Sequence, residues 1–102
     1  MTTKREKRLP PIHPGEVLEE LLNEAGLTVN ALALVLRVPA NRIGAIVKGQ
    51  RGITAGTALR LARYFGTSAQ LWMNLQAKYD LAAAEDSLRD QIEREVLPRS
   101  AA

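Results

Sequence analysis

Asn41, Gly44, Ala45 and Lys48 fall on one outward sector of a short helix expected over residues 39–48, with Arg42 on its flank. At about 100° per residue, Ile43, Ile46 and Val47 form the opposite, inward stripe. The chemistry open to the outward set is hydrogen bonding to nucleic acid. An asparagine amide can both donate to and accept from an adenine edge, and an arginine fork can reach guanine or a phosphate. Gly44 and Ala45 keep the helix slim where a solvated helix normally carries Glu and Lys, and bulky apolar groups there would foul a groove. Lys48, Gln50 and Arg51, at and just beyond the helix end, are spaced for phosphate contacts that set register. Pro39 and Ala40 form the leading end of the same surface.

The charge pattern around this helix points the same way. From Glu24 to Asp80 no acidic residue intervenes, yet seven bases do: Arg37, Arg42, Lys48, Arg51, Arg60, Arg63 and Lys78. The whole chain of 102 residues has 14 bases and 11 acids, so the acids are gathered at the two ends. A basic helix pair cleared of acids is the footprint of a phosphate-binding surface. Read more blandly, the bases are a solvated face of any small helical bundle.

The elements that must position these residues follow from local signals. Pro14-Gly15 opens a first helix in which Val17, Leu18, Leu21, Leu22 and Ala25 share a face, and Gly26 ends it. Thr28 caps a second helix, Val29 to Leu36, and Arg37-Val38-Pro39 makes the turn into the outward-reading helix. After the Gln50-Arg51-Gly52 loop, Thr54 caps a fourth helix with Ala58, Leu61, Ala62 and Phe65 inward and Arg60 and Arg63 outward. Thr67-Ser68-Ala69-Gln70 has capping-box spacing for a fifth, with Leu71, Trp72, Leu75 and Tyr79 on one face. A separate final helical segment, about Ala82 to Leu97, shows only a thin stripe of Leu88, Ile92 and Val96. Such a stripe suits something that covers a groove, a dimer mate or another partner. No run alternates with period two, so the fold class is all-α: a five-helix bundle at 14–80, a helical extension at 81–102 and a flexible basic arm at 1–13.

Other function classes find little support. The chain has no cysteine, which excludes disulfides and thiolate metal sites, and with one histidine no metal-binding cluster is expected. No nucleophile–base pair is visible, so no enzyme activity, cofactor or small-molecule substrate is expected. No apolar run is long enough to span a membrane. The basic N-terminus runs into Leu9-Pro10-Pro11, not into an apolar signal core, and a cytoplasmic protein is expected. His13 reads as the lead-in to the first helix.

The residues also carry a family likeness. His13-Pro14-Gly15-Glu16, Arg42-Ile43, Ile46-Val47-Lys48-Gly49, Ile53-Thr54-Ala55 and Thr57-Ala58-Leu59-Arg60-Leu61-Ala62 occur in order. Phe65-Gly66-Thr67-Ser68, Leu71-Trp72, Asn74-Leu75-Gln76 and Tyr79-Asp80-Leu81 follow. Together they resemble the HigA-type antitoxins, a branch of the lambda-repressor-like helix-turn-helix proteins, over residues 13 to about 84. The resemblance implies a five-helix DNA-binding core, a homodimer on double-stranded operator DNA, and repression of the chain's own operon. It also implies neutralisation of a small mRNA-cleaving toxin, and it makes residues 39–48 the recognition helix. Three positions depart from the family pattern: Arg37 where the turn usually has glycine, Pro39 where a capping Ser or Thr is common, and Gly56 where an acid is common. Pro39 is expected at the first helical position.

With that partner set in view, Leu71, Trp72, Met73, Leu75 and Tyr79 are candidates for the dimer interface, with core packing the alternative for Trp72 and Tyr79. Met73 and Ala77 are expected opposite the core face. Glu16, Glu19, Glu20 and Glu24 are solvated or form a docking surface for a basic ribonuclease toxin. A regulator of the same fold with no toxin, and a helical adaptor whose basic face binds acidic protein or RNA, are the competing readings.

Overall fold

The structure is a computed structural model and describes residues 10–100. The basic part of the expected arm, residues 1–9, lies outside the described residues. Five helices and no strand occur among the described residues: α1 Pro14–Ala25, α2 Val29–Leu36, α3 Ala40–Val47, α4 Ala55–Phe65 and α5 Ala69–Glu95. The all-α class and the first four helices match the sequence expectation closely.

Their ends are set by short-range bonds. Thr28, Thr54 and Ser68 stand at the N-caps of α2, α4 and α5, each hydroxyl accepting from a backbone amide three residues on. The cap of α1 is His13, whose Nδ1 accepts from the Gly15 amide at 2.9 Å while Glu16 accepts from the His13 amide at 3.1 Å. Thr67 does not open a capping box as its spacing implies. Its hydroxyl accepts from the Trp72 indole at 3.0 Å, and Ser68 caps the helix instead.

The core joins α1 to α5 through Leu18, Leu22, Leu32, Leu36, Ile43, Ile46, Leu61 and Trp72. Trp72 is completely buried. Ala25, expected inward, is exposed at the last residue of α1. α5 differs most from expectation: it runs unbroken for 27 residues, with no separate final helix. At 1.5 Å per residue it is about 40 Å long. It gives the molecule extents of 55 × 29 × 22 Å.

The turn between α2 and α3 is closed by Arg37 in the left-handed conformation, φ 62° and ψ 43°. Its amide donates to Leu34 and the Val38 amide to Ala33, which satisfies carbonyls left open at the end of α2. The position thus takes the positive φ that glycine would adopt freely, despite its side chain. That conformation costs an L-residue roughly 1–2 kcal/mol. Arg37→Gly is therefore expected to raise stability by about 1 kcal/mol, part of the gain being lost to the freer unfolded chain. Denaturant midpoints check this, and a lower midpoint would count against strain at the turn.

Candidate nucleic-acid interface

α3 is held against the bundle by its inner stripe. Ile43 and Ile46 are buried and Val47 is half-buried, so the opposite side is turned outward. Pro39 stands one place earlier than expected, at the N-cap with φ −62° and ψ 141°, and supplies no side-chain cap. The amides of Ala40 and Asn41, at the positive end of the helix dipole, thus lack a side-chain acceptor. Ala40 and Asn41 are exposed, as are Lys48, Gln50 and Arg51 at the other end.

Three residues of the reading edge sit closer to the protein than the helical wheel implies. Gly44 and Ala45 are half-buried, and a Cβ on Gly44 would lie 3.9 Å from Val29 of α2. The small side chains thus serve the α2–α3 packing as well as the approach from outside. Arg42 is also half-buried; its Nε is buried and has no hydrogen-bond partner. An orphaned donor of this kind costs about 1–3 kcal/mol.

Two residues missed at the sequence level set the geometry around α3. Arg60 is not simply an outward-facing base: its Nη1 donates to the Leu36 carbonyl at 2.8 Å, tying α4 to the end of α2 and hence to the turn. Gln76 of α5 accepts from the Ile53 amide at 2.7 Å and donates to Asp80 at 2.9 Å. This strap holds the loop that carries Gln50 and Arg51. The Arg60–Leu36 and Gln76–Ile53 bonds each span more than twenty residues, so local spacing carries no signal for them. Gly15 supplies the third fixture: its α-carbon lies against the Ile46 carbonyl, so closely that a Cβ would overlap it.

Two short helices at a fixed turn, the second showing an acid-free polar edge, define a DNA-binding helix-turn-helix protein. A family model described as Helix-turn-helix matches residues 18–72. Antitoxin HigA of Pseudomonas aeruginosa, solved with the higBA promoter, is 52% identical, with a TM-score of 0.85 over 88% of this chain and 99% of that one. Virulence-associated protein I of Dichelobacter nodosus is 59% identical over 78 residues, 76% of this chain and 72% of that protein. YbaQ, an uncharacterized HTH-type transcriptional regulator of Escherichia coli K12, is 39% identical over 84 residues, 81% of this chain and 74% of that protein. The chain belongs to the helix-turn-helix family, within its HigA-type antitoxin branch.

The candidate interface residues on α5 divide. Trp72, with no exposed surface and its indole bonded to Thr67, is core and cannot contact a second molecule. Met73 packs half-buried against the core and not away from it, whereas Leu71 is exposed. The inward face of α5 is centred one residue later than the wheel through Leu71 implied. Leu75 and Tyr79 are half-buried, and the Tyr79 ring meets His13 edge-on at 4.8 Å. Among the glutamates of α1, Glu19, Glu20 and Glu24 point to solvent, while Glu16 is engaged with the His13 amide. Among the described residues no helix is long and apolar enough to cross a membrane.

Proposed function

We propose that this chain is the antitoxin of a toxin–antitoxin pair: as a dimer it binds the operator of its own operon and represses it. It also neutralises a basic, mRNA-cleaving toxin. The observation that carries this reading is the exposed, acid-free edge of α3 in a chain 52% identical to an antitoxin solved with its promoter. Asn41 and Arg42 read base edges, with Pro39, Ala40, Gly44 and Ala45 allowing the close approach. Lys48, Gln50 and Arg51 hold phosphates. Two copies of α3 enter successive major grooves about 34 Å apart. Glu19, Glu20 and Glu24 offer an acidic ridge for the toxin. The protein acts in the cytoplasm and no catalytic role is assigned to it.

Gel-shift titration against the chain's own promoter tests the DNA half. If six or more phosphates are neutralised per dimer, affinity falls about 10³-fold or more between roughly 50 and 200 mM salt. A flat response would remove the phosphate clamp from the account. The likeness to YbaQ favours a second reading, a regulator with no toxin. Co-expression with the neighbouring gene product separates the two: a toxic, basic neighbour that is silenced and co-elutes belongs to the first reading alone.

A further inference from the structure

The loop between α3 and α4 carries Gln50 and Arg51, both exposed, and its two ends are held by different means. At its start, the Gly49 and Gln50 amides donate back to the Ile46 and Ala45 carbonyls of α3. At its far end the Ile53 side chain is buried, which fixes where the loop stops. How the backbone of Arg51 and Gly52 is turned on arrival depends on the Ile53 amide. That N–H donates to Gln76 Oε1 of α5 at 2.7 Å.

Gln76 can serve this amide in only one of its two orientations. An N–H only donates and a carboxylate only accepts. A side-chain amide set between them must therefore turn its oxygen to Ile53 and its nitrogen to the acid. Asp80 is that acid: one turn along α5, it accepts from Gln76 Nε2 at 2.9 Å. It is also the residue that ends the acid-free stretch begun after Glu24. Gly52 completes the fit. A Cβ there would lie 2.9, 3.0 and 3.1 Å from Nε2, Cδ and Oε1 of Gln76, so the loop backbone rests directly on the oriented amide.

We infer that Gln76 and Asp80 are positioning residues for operator binding. Asp80 orients the Gln76 amide, Gln76 sets the turn of the loop, and the loop presents Arg51 to a phosphate in each half-site. The inference rests on the operator-binding reading above and adds to it two α5 side chains that act on DNA through the loop. Charge alone assigns Asp80 the opposite effect, since removing an acid beside a basic face should tighten DNA binding.

Salt titrations of operator binding by the full chain test the relay. Each neutralised phosphate contributes about 0.9 to the slope of log affinity against log salt. Gln76→Leu keeps the charge but loses the acceptor. It should make that slope shallower by about two, one phosphate per half-site, and weaken binding roughly tenfold at ~150 mM salt. The ratio of operator to random affinity should hold, because phosphate contacts carry no sequence information. Partial unfolding would lower apparent affinity at every salt alike and leave the slope unchanged. Asp80 is exposed and alanine suits a helix interior, so Asp80→Ala gives a second arm that folds. It should also weaken binding and make the slope shallower, against the sign of its charge. Gln76→Glu sets two carboxylates together; adding Asp80→Asn restores a donor and an acceptor at the wild-type net charge and should recover most of the slope. An unchanged slope in Gln76→Leu, tighter binding by Asp80→Ala, or no recovery in the double variant overturns the relay and leaves operator binding standing. A wild-type slope near zero removes operator binding through phosphates, and the relay with it.

Discussion

Gly15→Ala is expected to lower stability by about 3 kcal/mol, and the melting temperature by roughly 12–24 °C. The reason is local and backbone-on-backbone. A Cβ at position 15 would occupy the space of the Ile46 carbonyl, an atom of the helix body with no side-chain freedom to yield. α1 or α3 must shift, and either shift opens the seam between Leu18, Ile43 and Ile46, which are all buried. Because α3 is the reading helix, the variant should also lose operator affinity at temperatures where it is still folded. Gly56→Ala is the matched control: its Cβ would meet nothing within 4 Å and it lies in the first turn of α4. There the substitution should stabilise by up to about 1 kcal/mol. Thermal melts of the pair decide the matter. Equal midpoints for Gly15→Ala and the wild type would mean that α1 and α3 do not meet as described.

Arg42→Ala should show the opposite balance, a large effect on recognition with none of the cost in stability. Loss of a bidentate base contact weakens discrimination between operator and random DNA by about 1–3 kcal/mol. Folding stability should hold or rise, since the substitution removes a buried Nε that has no partner. Competition gel shifts with operator and scrambled duplexes measure the first, and a denaturant melt the second. Unchanged discrimination would take Arg42 off the reading edge. A marked drop in stability would show that its aliphatic stem matters more than its orphaned nitrogen.

Much of the fold is legible because its punctuation is local. Thr28, Thr54 and Ser68 each accept from an amide three residues away, and Gly26 and Gly66 close helices by their own conformation. The outward sector of α3 follows from helical period: Asn41 and Lys48 are exposed as it implies, while Gly44 and Ala45 are half-buried. What escaped has a non-local cause. Periodicity shows that Trp72 points to an apolar surface, but not that this surface belongs to its own chain. Arg60 and Gln76 read as ordinary polar helix residues, and their partners Leu36 and Ile53 lie more than twenty residues away. Arg37 reads as a poor turn residue, yet tertiary packing of α2 on α3 imposes a positive φ on it. The break expected near Leu81 came from a thinning apolar stripe. Helix continuity depends instead on the backbone, and neither glycine nor proline occurs between Gly66 and Pro98.

That unbroken helix also acts as an angular gauge. The strap from Gln76 to Ile53 fixes the near end of α5 against the loop beside α3. Every residue beyond it is then clocked by the helical repeat, so the azimuth of Leu88 and Ile92 is set relative to the reading helix. One residue inserted near Ala84 turns the far stripe by about 100°, whereas seven return it to within about 20° and carry it roughly 10 Å further out. Phase and reach at the far end of this protein are thus separable quantities, both written in the length of a single helix.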